Sequence, residues 1–232
     1  MPAITTDPDV ALAMWLQLHD SAFPSGRMVH SQGLEQWLAD RPDVGAPEVG
    51  AVVLAYLADG YAPLDGTLTA AAWRAAAHLP RLCELDDLAG TYKLFDNART
   101  ASESAGTQLA AAARRAGLAE RCPYLTAVTD GATAGHGAVV DGALQAQLGV
   151  PQRLAVLGSM RSMLASMLSA AVRMGRLGAL LAQRFQTAAA PRLVELARAA
   201  CDRDIDDVYS VAPALEIGGM RHETRTTRLF TT

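Results

Sequence analysis

The chain has 232 residues, half of them hydrophobic and 19% charged, with a formal net charge of −4. That length and apolar content suffice for one substantial core without disulfides or a structural metal, and they exclude intrinsic disorder over most of the chain. The slightly acidic balance leaves no basic excess to meet phosphates, which speaks against a general nucleic-acid binder.

Alanine dominates and only three isoleucines occur, Ile4, Ile205 and Ile217. Alanine and leucine favour helices, whereas strands draw on β-branched and aromatic side chains. The composition therefore predicts an all-α fold: one bundle-like domain of roughly eight to ten helices. Ala11 to His19 forms a first apolar block, followed by the loop-like Ser21-Ala22-Phe23-Pro24-Ser25-Gly26. A second block holds Gly33 to Leu38. Pro47 suits a first helical position, and Val49, Val52, Val53, Tyr56 and Leu57 follow at the spacing of one buried helix face. Thr69 to His78 is alanine-rich. Glu84 to Arg115 reads as one long helix, Gly137 to Leu148 as the next, and Pro151 opens the most apolar helix, to about Met174. Separate helices are expected over about Ala179 to Thr187 and from Pro191 to about Cys201. Neither repeat nor linker interrupts residues 1–208. Residues 209–232 have poor periodicity yet hold Val211, Leu215, Ile217, Met220, Leu229 and Phe230, the pattern of a tail that orders when a partner binds it.

Cys83, Cys122 and Cys201 are odd in number and widely spaced, which points to a reducing compartment and away from a disulfide framework. The opening MPAITTDPDV has neither a basic nor an apolar region of a secretory signal, and arginines break the apolar stretch from Leu154 to Ala182 before it reaches a membrane span. A cytoplasmic protein with no membrane contact is expected.

Catalytic motifs are sparse. The sole lysine, Lys93, lies in Thr-Tyr-Lys-Leu, outside any phosphate-binding loop. Ser159 in Leu-Gly-Ser-Met-Arg does not match a nucleophile elbow. His19, His30, His78, His136 and His222 form no pair at metal-ligand spacing. The adjacent carboxylates Asp86 and Asp87, and Asp206 and Asp207, diverge on a helix and read as a solvated face or cap. One stripe stands out: Ser159, Ser162, Ser166 and Ser169 step by three or four residues and continue into Arg173 and Arg176. It reads either as a tightly packed core face, or as a face that meets another subunit or lines a polar passage. An arginine buried at its end needs a carboxylate or carbonyl partner.

Three segments, taken together and in order, resemble the urease accessory protein UreF family. They are Leu16-Gln17-Leu18 through Phe23-Pro24-Ser25-Gly26 to His30-Ser31-Gln32-Gly33-Leu34-Glu35; Ser169 to Gly178; and Ala212 to Ile217 with Met220-Arg221-His222-Glu223 and Arg228-Leu229-Phe230. His136 and Gly142 add to the likeness in the middle. The resemblance implies an all-α cytoplasmic protein, often a homodimer, with no catalytic residues of its own. It implies binding to a UreD/UreH-type accessory protein, through it to apo-urease, and to the nickel-carrying GTPase UreG. Nickel and GTP would be handled by the complex, with no cofactor bound by this chain. Glu35, Ser169, Arg173 and Arg176 are the expected GTPase-facing or polar interior residues. Arg221, His222, Arg228, Leu229 and Phe230 are the expected contacts of the tail with the accessory protein. Two rivals stand beside this adaptor: a direct activator of the GTPase, with Arg173 or Arg176 as an arginine finger, and an unrelated helical ligand-binding regulator.

Overall fold

The computed structural model describes residues 7–26, 30–223 and 230. Among these no strand occurs, and the fold is all-α. Eleven α-helices follow in order: α1 (Pro8–Leu18), α2 (Leu34–Ala39), α3 (Ala46–Ala55), α4 (Thr67–Arg74), α5 (Leu79–Thr91), α6 (Asp96–Arg115), α7 (Pro123–Thr129), α8 (Gly137–Gln147), α9 (Gln152–Arg173), α10 (Ala179–Asp202) and α11 (Pro213–His222). A π-helical segment, Tyr56–Gly66, joins α3 to α4 without a turn, so the chain coils continuously from residue 46 to residue 74. Its wider coil accommodates Pro63, whose ring has no N–H to donate.

Two apolar clusters share α4 as their common wall. Ala71 and Ala72 face the first, with Leu82, Leu85, Leu109, Tyr124, Val140 and Leu144 from α5 to α8. Ala70 faces the second, with Val49, Val53, Leu57, Met160, Met167, Leu193 and Ala197 from α3, the π-helical segment, α9 and α10. Helix α8 can approach α4 closely because position 142 is glycine: a Cβ there would collide with the Thr69 carbonyl and lie 3.0 Å from Ala72 Cβ. Small residues thus set the distance between these helices, which explains why so much alanine is buried.

Helix α9 is, among the described residues, the one helix apolar and long enough to cross a membrane by length and composition, and 61% of that window is buried inside the fold. This differs from the expectation that arginines break the stretch too often. They fall on its rim: Arg161 and Arg173 are exposed while Met160, Leu164, Met167 and Leu168 are buried between α10, α3 and α2.

Two boundaries and one side chain differ from the sequence reading. The long helix expected over Glu84 to Arg115 is two helices, with a break at residues 92–95. The two helices expected after Ala179 are one, α10, with Pro191 inside it. Pro191 and Thr187, whose carbonyl loses its donor, are both exposed, so water can take the place of the missing bond. Asp86, read as part of a solvated pair, is fully buried. Its carboxylate accepts from Thr133 Oγ1 at 2.6 Å, Gly135 N at 2.7 Å and His136 N at 2.6 Å, fastening the loop before α8 onto α5.

Beyond Tyr209 the chain is laid back on the fold as far as it is described. Val211 N donates to the Asp59 carbonyl, Leu215 is buried in the second cluster, and α11 packs on α2.

Candidate functional site

The loop before α2 carries the first likeness segment, and its geometry follows from glycine. Gly33 has φ +79°, a left-handed conformation with little cost only for glycine. A Cβ on Gly33 would collide with the Leu215 carbonyl and sit 2.8 Å from Gly219 N, and one on Gly218 would sit 2.6 Å from the Gly33 carbonyl. Backbone therefore meets backbone where α2 begins and α11 passes. Ser31 Oγ lies 3.4 Å from the Glu35 amide, a long capping contact that opens α2.

Glu35 then points from the first turn of α2 into that junction. One carboxylate oxygen, Oε2, accepts from His222 Nε2 at 3.0 Å and from the Phe230 amide at 3.1 Å. The His222 side chain is fully buried and that of Glu35 is 8% exposed. The Phe230 ring is buried, and the Arg173 guanidinium lies 4.2 Å from its centroid. Such a stacked cation is attracted by the face of the ring. Arg221, one residue before His222, is exposed and reaches Asp40 at the end of α2 at 3.1 Å. Arg176 donates to the Arg41 carbonyl at 2.6 Å, the carbonyl partner its place in the stripe called for.

The structure thus brings together residues expected to serve two separate surfaces. Glu35 and Arg173 share a junction with His222 and Phe230, and Arg176 and Arg221 both bind at the C-terminal end of α2, on Arg41 and Asp40. His222 and Phe230, expected as outward contacts of the tail, have side chains turned into the fold. Ser169 is half-buried one turn before Arg173. Arg228 and Leu229 lie outside the described residues. Exposed apolar side chains flank the junction on α11 and just before it: Val211, Ile217 and Met220, with Tyr209.

A cavity of about 130 Å³ with a mixed apolar and polar lining runs behind α11 and has Leu215 and Glu216 in its wall. It has room for several water molecules. The serine stripe supplies Ser159, Ser162 and Ser166, but not Ser169. Tyr61 Oη is 2.7 Å from Ser159 Oγ, and Ser162 Oγ is 2.8 Å from His19 Nδ1. Asp141 and His30 also line it, and burial pushes the His30 imidazole below its ordinary value. Lys93 bridges both oxygens of Asp65, at 2.8 and 3.0 Å, on the cavity wall. The sequence reading used Lys93 only to exclude a phosphate loop. The pair spans 28 residues and a helix break, and no spacing rule connects its members. Among the described residues no three His, Cys, Asp or Glu side chains gather as a metal-binding group.

Comparison with known proteins decides the kinship. A family model described as UreF matches residues 45–190, more than half of the chain. The chain belongs to the UreF family. It is 31% identical over 226 residues to the urease accessory protein UreF of Granulibacter bethesdensis, covering 96% of this chain and 94% of that protein. It is 30% identical to the proteins of that name from Rhizobium leguminosarum bv. viciae and from Rhodopseudomonas palustris strain BisA53. Those matches cover 94% of this chain, and 94% and 91% of the two relatives. The UreF model spans α3 to the first half of α10, whereas these relatives match along nearly the whole chain. Membership displaces the reading as an unrelated helical regulator.

Proposed function

We propose that this chain is a non-enzymatic adaptor of urease maturation in the cytoplasm, acting as a homodimer. Its C-terminal segment docks a UreD/UreH-type accessory protein and, through it, apo-urease. The end of α9, at Arg173 and Arg176, faces the GTPase UreG, which carries nickel and hydrolyses GTP. Nickel is cargo of the assembled complex and this chain holds no cofactor of its own.

One observation carries this reading: Glu35, Arg173, His222 and Phe230 meet in a single junction, so the two expected docking surfaces adjoin. Exposed Ile217 and Met220 beside it supply apolar area that a partner would cover. The second reading, direct activation by an arginine finger, draws less support. Arg173 is engaged with the Phe230 ring, and Arg176 with a carbonyl of its own chain.

The test is co-expression of the urease subunits and the other accessory proteins with and without this chain. Urease activity and nickel content should both fall at least tenfold in its absence, and the three accessory proteins should co-purify when it is present. Full nickel loading without the chain would overturn the reading.

A further inference from the structure

The cavity behind α11 has unlike walls. Helix α6 turns one face into it, with Ala98, Ala101, Ala105 and Leu109 at helical spacing. Helix α9 contributes the hydroxyls of Ser159, Ser162 and Ser166. An apolar cavity of about 150 Å³ accommodates one benzene molecule, and at about 130 Å³ this space is close to that size. The ionic groups among its described wall residues are already engaged. Lys93 holds both oxygens of Asp65, Asp141 accepts from Gln145 Nε2 at 3.0 Å, and Glu216 accepts from the Ala212 amide at 3.3 Å. A charged ligand would have to break such a contact or stay unpaired away from water, whereas a neutral one need not. Hydroxyls keep capacity after one bond, since each donates once and accepts twice. Ser159 Oγ meets Tyr61 Oη at 2.7 Å and Ser162 Oγ meets His19 Nδ1 at 2.8 Å, so each serine can still serve a ligand.

We propose that this cavity binds a small neutral molecule with an apolar body and one hydroxyl, the size of phenol. The body lies against the α6 alanines and Leu109, and the hydroxyl bonds Ser159 or Ser162. Leu215 and Glu216 of α11 are also wall residues, so an occupant stabilises the seat of that helix. The site stands apart from the adaptor reading, and the outcome for one leaves the other untouched.

The experiment titrates the full chain with phenol, benzene and glycerol, followed by NMR of the isotope-labelled protein. Phenol should bind with a Kd below about 1 mM, a modest affinity for a ligand of its size. Benzene, which lacks the hydroxyl, and glycerol, which lacks the apolar body, should each bind at least tenfold more weakly. With phenol bound, amide exchange in α11 should slow at least twofold, while α7, which places no residue in the wall, keeps its rates. Ala105→Leu fills the space from α6 and should weaken phenol binding at least tenfold. Ser159→Ala combined with Ser162→Ala should cut the preference for phenol over benzene to less than threefold. Phenol that binds no more tightly than benzene or glycerol overturns the proposal. So does phenol binding unchanged by Ala105→Leu, or a preference retained without the two serines. Should Ala105→Leu fail to fold, magnetisation transfer from bound phenol to the methyl groups of Leu109 and Met163 in the wild-type chain carries the test, and its absence overturns the proposal.

Discussion

Gly33 and Gly219 stand so close that a Cβ on the first would come within 2.8 Å of the backbone nitrogen of the second. Neither backbone can retreat, because each is the end or the middle of a packed helix. Gly33→Ala therefore combines a left-handed φ with a steric collision, and about 3 kcal/mol of lost stability is expected. Urea unfolding followed by circular dichroism should show a lower midpoint with an unchanged slope. Hydrogen exchange should locate the loss at α2 and α11. A Gly33→Ala chain as stable as wild type would mean that this backbone contact does not hold α11 in place.

Asp86 tests how much the interior depends on one buried anion. Thr133 Oγ1, Gly135 N and His136 N all aim at it. Asp86→Asn replaces one acceptor oxygen with a donor and leaves at least one N–H or O–H facing another. The expected cost is about 3 kcal/mol, or a fall of roughly 10 °C in Tm for a chain of this size. Tyr124, whose phenol burial and then Asp86 push upward, should shift in its near-ultraviolet signal with the same variant.

Helix class and the apolar faces were legible in the sequence, because alanine content and 3.6-residue spacing act locally. Val49, Val53 and Leu57 are buried as their spacing predicted. What stayed hidden depends on distant pairing. Adjacent Asp86 and Asp87 look alike in sequence, yet one is buried and the other exposed, decided by which side of α5 meets the loop before α8. Helix α11 showed no periodicity because two of its ten residues are glycines set by close contacts, Gly218 with the start of α2 and Gly219 with the Phe95 ring. At the candidate site Glu35, Arg173, His222 and Phe230 were all named from the family likeness, but their joining into one cluster was not. Glu35 and His222 lie 187 positions apart, and only the crossing of α2 and α11 brings them together.

The pH dependence of stability has a definite sign. Burial is the main cause holding the His136 imidazole below its ordinary value, with Lys93 adding to it, while Asp86, Glu103 and Asp65 oppose. A histidine with a depressed folded pKa binds its proton more readily when unfolded. Its contribution is fully present above about pH 6.5 and is lost as pH falls through the folded value. His30 acts in the same direction through burial. Unfolding free energy should therefore decline from pH 7 to pH 5, and His136→Gln should flatten that decline. An equally steep slope in the variant would assign it to other groups.

Lys93 and Asp65 are both largely withdrawn from water, at 14% and 10% side-chain exposure. Removing the cation alone leaves a carboxylate beside the cavity, so Lys93→Met should cost about 3 kcal/mol. Replacing both, with Asp65→Leu in addition, should restore most of that, because an apolar pair needs no counter-charge. A double-mutant cycle read by thermal unfolding should give a coupling above about 1 kcal/mol. Additive costs would mean that the pair is not a unit.

Arg173 separates an adaptor from an activator. Its guanidinium sits on the Phe230 ring, an exposed stacking worth about 0.5–1 kcal/mol, so Arg173→Ala should change the stability of the chain little. Placed at a docking surface, its loss should weaken capture of UreG by the assembled accessory complex at least fivefold. At saturating complex, the single-turnover rate of GTP hydrolysis should then stay within twofold of wild type. An arginine finger behaves oppositely: its loss lowers the rate at saturation by about a thousandfold or more. Measuring both quantities on the same preparation resolves the two roles, since affinity is read from the concentration dependence and chemistry from the plateau. A collapsed plateau would move this chain from adaptor to activator.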